Sequence, residues 1–158
     1  MSRIKLDKID RKILRDIQAN GRITNVELSK NAGISAPPCL RRVRALEEHG
    51  LIKGYYARLN SEALGYALTV FAQIKLESQA EHDLKKFEEK CEALDMVREC
   101  HMLSGEVDFL LRIVAPDWDS YQQFLTRELT SMENVISVKT MPRVRSAKQD
   151  GGIPINVD

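Results

Sequence analysis

An α+β fold in two modules, three helices followed by a β-α-β-β-α-β unit, is what this sequence predicts. Three observations carry the prediction. Apolar residues recur at three- and four-residue steps through the first fifty positions. They recur at two-residue steps in four later segments, separated by stretches of helical period. The charge is also divided. Residues 1–58 hold 13 Lys/Arg against 6 Asp/Glu, a net of +7, and residues 59–158 hold 11 against 17, a net of −6. The 158-residue chain sums to +1, so the division is invisible in the total. A basic third joined to an acidic remainder predicts a polyanion-binding module on a carrier of different purpose.

The first helix is carried by Leu6, Ile9, Ile13 and Ile17 and stops at Asn20-Gly21. Thr24-Asn25-Val26-Glu27 has capping-box form, with Val26, Leu28 and Ala32 as the apolar face of the helix it opens. Gly33 ends that helix, since glycine tolerates the left-handed conformation found just past a helix end. Ser35 is placed to cap a third helix, with Pro37 and Pro38 in its first turn, where a missing amide hydrogen costs little. That helix runs to about His49, with Ala36, Leu40, Val43 and Leu46 inward, and Gly50 stops it. Leu51 to Leu59 alternates and is predicted to be a strand, the wing of the module. Asn60-Ser61-Glu62 opens a short helical turn ending at Gly65.

Leu68 to Leu76 alternates as a half-buried strand. Ala80 to Ala93 is a charged helix that buries Leu84, Phe87, Cys91 and Leu94. Met96–Leu103 and Val107–Ala115 are strands joined at Ser104-Gly105-Glu106. Pro116-Asp117 opens a helix buried through Trp118, Tyr121, Leu125, Leu129 and Met132, and Val135–Val144 is a fourth strand. The order is that of a ferredoxin-like unit, with both helices on one sheet face. The uncovered face predicts pairing with an identical sheet, hence at least a dimer. The divisions are 1–50 for a helix-turn-helix, 51–66 for wing strand and linker, 67–148 for the ferredoxin-like domain and 149–158 for a flexible tail.

The composition narrows the function. No apolar run approaches the roughly 18–20 residues of a membrane span, and the N-terminus has no secretory pattern. Cys39, Cys91 and Cys100 are odd in number and lack CxxC spacing, which argues against a disulfide framework or zinc finger and for a reducing compartment. His49, His82 and His101 are isolated, so no metal or cofactor is expected. Cys100 and His101 are neighbours on a strand and point to opposite faces, which removes a thiol–imidazole pair. No phosphate loop or nucleophile elbow is present, and an enzyme would need a catalytic constellation the sequence lacks.

The third helix carries the chemistry of the first module. In helical projection Pro37, Pro38, Arg41, Arg44 and Ala45 lie opposite the apolar stripe, with Arg42 on the flank. A helix fits the major groove of duplex DNA, where arginine reads guanine bidentately or grips phosphate. The Ser35 hydroxyl and the helix-start amides are further phosphate donors, and Lys53 and Arg58 reach the backbone from the wing. The plainer alternative is a solvated face whose arginines pair with Glu47 and Glu48.

Three stretches of sequence resemble one known family. They are Leu6-Asp7-Lys8-Ile9-Asp10-Arg11-Lys12-Ile13-Leu14, Asn20-Gly21-Arg22-Ile23-Thr24-Asn25-Val26-Glu27-Leu28-Ser29, and the run from Gly33 through Leu40-Arg41-Arg42-Val43-Arg44-Ala45-Leu46-Glu47. All three look like the N-terminal domain of the Lrp/AsnC (feast/famine) transcription regulators. Glu99-Cys100-His101-Met102-Leu103-Ser104-Gly105-Glu106-Val107-Asp108-Phe109-Leu110-Leu111 resembles that family's second signature. The resemblance runs from about Leu6 to Lys148. It implies a winged helix-turn-helix, a ligand-sensing ferredoxin-like domain, dimers and often octamers, double-stranded DNA and a small amino acid as partners, and a cytoplasmic, nucleoid-associated protein. A nucleoid-like member that coats DNA with little sequence preference is the variant reading.

The resemblance also implies an effector site between dimers, at the turn from Ser104 to Asp108. An amino-acid carboxylate would take donors from Ser104 and from backbone near Gly105, where the chain can approach closely. Its ammonium would take Asp108, with Glu106 behind it. An apolar side chain would lie among Met102, Leu103 and a facing subunit, and Thr140 of the last strand is carried over to the same site. The alternative is a simple tight turn followed by an exposed Asp108.

Overall fold

The computed structural model describes residues 5–149 and 152–157. The chain forms two compact units. One takes the chain as far as Arg58 together with the closing segment from Gln149, and the other spans Leu59–Lys148.

The first unit holds three helices, α1 (Lys8–Ala19), α2 (Asn25–Ala32) and α3 (Ala36–Glu48). Two aspartates start α1 by capping each other. Asp7 Oδ1 accepts the Asp10 amide at 2.8 Å, and Asp10 Oδ2 accepts the Asp7 amide at 3.1 Å. The predicted box at α2 is present: Thr24 Oγ1 accepts the Glu27 amide at 3.2 Å and Glu27 Oε2 accepts the Thr24 amide at 3.0 Å. That amide bond holds the Glu27 carboxyl below its ordinary range. Gly33 ends α2 at φ 74°, a conformation costly for any residue with a Cβ. It aims the chain directly into α3.

Ile13, Ile17, Leu28, Ala32, Cys39 and Leu46 form the core of this unit. Three expected core residues are not in it: Val26 is 70% exposed, Leu40 39%, and Ala36 is half-buried at the start of α3. Val26 lies two residues before Leu28, about 200° around the helix, so it cannot share the Leu28/Ala32 face. On α3 the buried line runs Cys39, Val43, Leu46, and Leu40 falls at its rim.

The wing strand predicted for Leu51–Leu59 is not formed. A strand needs a hydrogen-bonding neighbour, and the described residues of this unit contain no other strand. The segment leaves α3 with the Leu51 and Ile52 amides both on the Leu46 carbonyl. The helical turn after Asn60 is present, with Asn60 Oδ1 accepting the Ala63 amide at 3.0 Å. The closing segment, expected to hang loose, is tied to α1. Gln18 Nε2 donates to the Ile153 carbonyl at 2.8 Å, and the Ile153 amide donates to Gln18 Oε1 at 3.0 Å.

The second unit is a four-stranded antiparallel sheet in the order β2-β3-β1-β4. Its strands are β1 (Leu68–Leu76), β2 (Val97–Met102), β3 (Phe109–Ala115) and β4 (Val135–Pro142). Helices α4 (Glu81–Glu92) and α5 (Trp118–Phe124) complete the β-α-β-β-α-β order. Alternate residues of the two central strands, Val70, Ala72, Ile74 and Leu76 with Phe109, Leu111, Ile113 and Ala115, are buried against Phe87, Cys91, Tyr121 and Leu129. Tyr121 is fully buried, and its hydroxyl is satisfied by Thr140 Oγ1 at 2.7 Å. Trp118, expected inside, is 44% exposed. It stands in the first turn of α5, with its ring 5.4 Å from that of Tyr121.

Candidate nucleic-acid interface and effector site

The entry to α3 is shaped by its two prolines. Ser35 occupies the cap position, yet its hydroxyl makes no cap hydrogen bond. A capping side chain accepts from the second or third helical amide, and here those residues are Pro37 and Pro38, which have none. The exposed Ser35 hydroxyl is thereby left for an outside partner. The same prolines remove most of the expected amide cradle. The Cys39 amide is bonded to the Ser35 carbonyl at 3.2 Å, so only Ala36 offers a first-turn amide.

The three arginines do not act alike. Arg41 and Arg44 are exposed, and no hydrogen bond or ion pair engages either among the described residues. Glu47, the expected partner, instead accepts the Tyr55 hydroxyl at 2.8 Å. Burial, reinforced by that carboxylate, pushes the Tyr55 hydroxyl up to about 12. Arg42 faces the other way. Its Nη1 lies 2.7 Å from Asp7 Oδ2 and 2.7 Å from Asp10 Oδ1. Asp10, then Asp7, raise the Arg42 pKa, and the Asp10 amide followed by Arg42 lowers that of Asp7. Arg42 is thus a clamp between α3 and the capping box of α1, and it leaves the DNA-facing set. Sequence reading missed this because the pair is 32 and 35 residues distant; the Asp-x-x-Asp spacing was its one signal. Lys53 is exposed on the irregular segment after α3.

Arg42→Ala is expected to cost roughly 1 kcal/mol of stability, a value held down by the half-exposed Asp7. DNA affinity of the folded variant should change much less than on loss of Arg41 or Arg44. Urea denaturation read beside gel-shift titration separates the two effects.

The second candidate site is the β2–β3 turn. Gly105 has φ 140°, which an L side chain rarely adopts. Met102 is 59% and Leu103 41% exposed, and Ser104, Gly105 and Glu106 are exposed around them. Among the described residues no hydrogen bond or ion pair holds the Glu106 carboxylate.

Asp108 differs from its expected role. It is buried, and its carboxylate is occupied: Oδ2 accepts the Leu76 amide at 2.7 Å and Oδ1 lies 3.3 Å from Lys75 Nζ. The last backbone pair between β1 and β3 is Ile74 with Phe109, so this side chain supplies the next rung to β1. Burial alone would raise its pKa, but the Leu76 amide and Lys75 outweigh it and hold it below 3.8.

Thr140 is also elsewhere. It pairs with Ala72 on the edge strand opposite β2, three strand spacings or about 14 Å away. Its hydroxyl turns toward the helices, to Tyr121. One chain therefore does not bring Thr140 to the turn. Cys100 pairs with buried Leu111 and His101 with Leu110, so the two side chains lie on opposite sheet faces.

Known proteins match both halves. Residues 6–53 match a winged helix-turn-helix DNA-binding model, and residues 69–153 match the Lrp/AsnC ligand binding domain. A leucine-responsive regulatory protein from Rhizobium meliloti is 53% identical over 146 residues, covering 92% of this chain and 94% of that protein. The leucine-responsive regulatory protein of Escherichia coli K12 is 41% identical over 150 residues, covering 95% of this chain and 92% of its own. A transcriptional regulator from Neisseria meningitidis, solved as a complex with L-Met, superposes with a TM-score of 0.92. It is 33% identical and covers 96% of this chain and 98% of its own. With a DNA-binding helix-turn-helix, a ligand-binding ferredoxin-like domain and relatives of this similarity along nearly its whole length, the chain belongs to the Lrp/AsnC family of transcription regulators.

Proposed function

We propose that this regulator reads DNA with Arg41, Arg44 and the Ser35 hydroxyl on α3, gripping phosphate through Lys53, and that a small amino acid sets its affinity. The observation that carries the reading is the pair of exposed, unengaged guanidinium groups on the helix face opposite the Cys39–Leu46 seam. In a dimer, two such helices would enter successive major grooves about 34–36 Å apart. The sheet face away from the helices supports self-association, because Phe71 and Leu110 are only half-buried there. Octamers and a cytoplasmic, nucleoid-associated setting complete the reading. Among the described residues no helix is long and apolar enough to cross a membrane.

For the effector, Glu106 takes over the ammonium role from the occupied Asp108. Ser104 and the backbone about Gly105 serve the carboxylate, and Met102 and Leu103 offer an apolar wall. These groups sit on an open edge, which suits a site completed by a second copy. The amino acid changes DNA affinity only if it binds the assembly states unequally. Titration calorimetry with a panel of L-amino acids should find an apolar one that binds, and Glu106→Gln should weaken it about tenfold or more, as for a lost charge-assisted bond. Binding of none of the panel would remove the effector half of the proposal. A gel shift showing equal affinity for promoter and random DNA at every salt concentration would instead favour the architectural reading.

A further inference from the structure

Two thiols meet in the second unit. Cys91 is buried on the inward side of α4, and Cys100 sits half-buried on the helix-facing side of β2, where it packs against the same core. The end of α4 lies on β2, and the Cys91 and Cys100 side chains pack into the same core there. Cys39, the third cysteine, is fully buried in the other unit.

We propose that Cys91 and Cys100 form a peroxide-sensitive dithiol that closes to a disulfide between α4 and the edge strand β2. The two sulfurs are inequivalent, which gives each a role. Hydrogen bonding toward Cys100, together with burial, raises Cys91 above the ordinary thiol range. The same bond lowers Cys100, against burial and the nearby Glu88 and Glu92 carboxylates. Cys100 is also the more accessible sulfur, so it is the attacking group.

The reaction balances with a hydroperoxide as oxidant. The Cys100 thiolate attacks the terminal peroxide oxygen; an S–O bond forms, the O–O bond breaks, and the leaving oxygen departs as hydroxide or alkoxide. Cys100 becomes a sulfenic acid, oxidised by two electrons as the peroxide is reduced. The Cys91 sulfur then attacks the Cys100 sulfur, its proton passing to the departing hydroxyl, which leaves as water. A thiol such as dithiothreitol reverses the bridge by exchange. The product pins the end of α4 to the strand that leads into Met102 and Leu103. A reducing compartment suits a bridge of this kind, which forms transiently in response to an oxidant.

The test uses the full-length protein. It is treated with hydrogen peroxide, its remaining thiols are alkylated, and tryptic digests are read by mass spectrometry. Trypsin cuts after Lys90, Arg98 and Arg112, so the bridge joins peptide 91–98 to peptide 99–112. The expected result is that linked pair, two hydrogens lighter than the separate peptides and lost on reduction. It should form about tenfold or more faster than any Cys39 product, as thiolate character and access dictate. Cys91→Ser should leave Cys100 to accumulate as sulfenic and then sulfinic acid, and Cys100→Ser should leave Cys91 unreacted. Oxidation of Cys100 in the unsubstituted protein without the linked pair overturns the proposal, as does Cys39 reacting first; neither readout depends on a variant folding.

Discussion

Replacing both Arg41 and Arg44 by alanine is expected to weaken operator binding by about thirtyfold or more. Each bidentate arginine on a base is worth about 1–3 kcal/mol, so losing two removes roughly 2–6 kcal/mol. The fold should not suffer, because both side chains are exposed and engage no partner among the described residues. Singly, the substitutions assign roles. An arginine on a base edge relaxes sequence preference at one position, whereas one on phosphate weakens all sequences alike and lowers the salt slope by about one. Gel-shift titration at several salt concentrations distinguishes these cases. Unsubstituted affinity in the double variant would show that α3 is not the reading helix.

Asp108→Ala is expected to destabilise the ferredoxin-like unit by about 1–3 kcal/mol, the cost of leaving the buried Leu76 amide without an acceptor. Marginal stability makes that a sizeable fraction of the whole. Any loss of amino-acid response in this variant would follow from disorder at the β1–β3 rung, since the carboxylate is engaged inside the chain. Asp108→Asn tests this by retaining a carbonyl acceptor while giving up the charge, and it should recover part of the loss. The pH dependence has a fixed sign. The folded carboxyl titrates below 3.8, so its contribution is complete above that value and is lost as pH falls through the lower, folded value. Urea midpoints for unsubstituted protein and Asp108→Asn should therefore differ at pH 7 and converge in strong acid. A constant difference across that range would remove the charge from the explanation.

What could be read from the sequence was what local rules decide. The Thr24–Glu27 box, the Gly33 stop and the alternation of Leu68–Leu76 each depend on neighbours within a few positions, and all three are present. The wing failed because alternation records a strand's two faces and says nothing of whether a partner exists. Val26 and Leu40 failed by angle: on short helices one residue of phase separates core from rim. At the sites, Arg42 and Asp108 looked like ligand groups because both are charged and stand in signature runs. Their partners, Asp7 with Asp10 and the Leu76 amide, come from distant segments that no spacing rule joins. The Ser35 hydroxyl was the opposite case. Two prolines in the right places already implied that its usual partners were missing, and the sequence alone could have supplied that inference.

The bond pair between Gln18 and Ile153 makes the reading unit discontinuous in sequence. Its helices come from chain ahead of the sensor, and the segment that braces α1 comes from chain beyond it. Severing the chain in the stretch after Arg58 to isolate the three helices would therefore strip Gln18 of both bonds, and such a fragment is expected to melt below the intact protein.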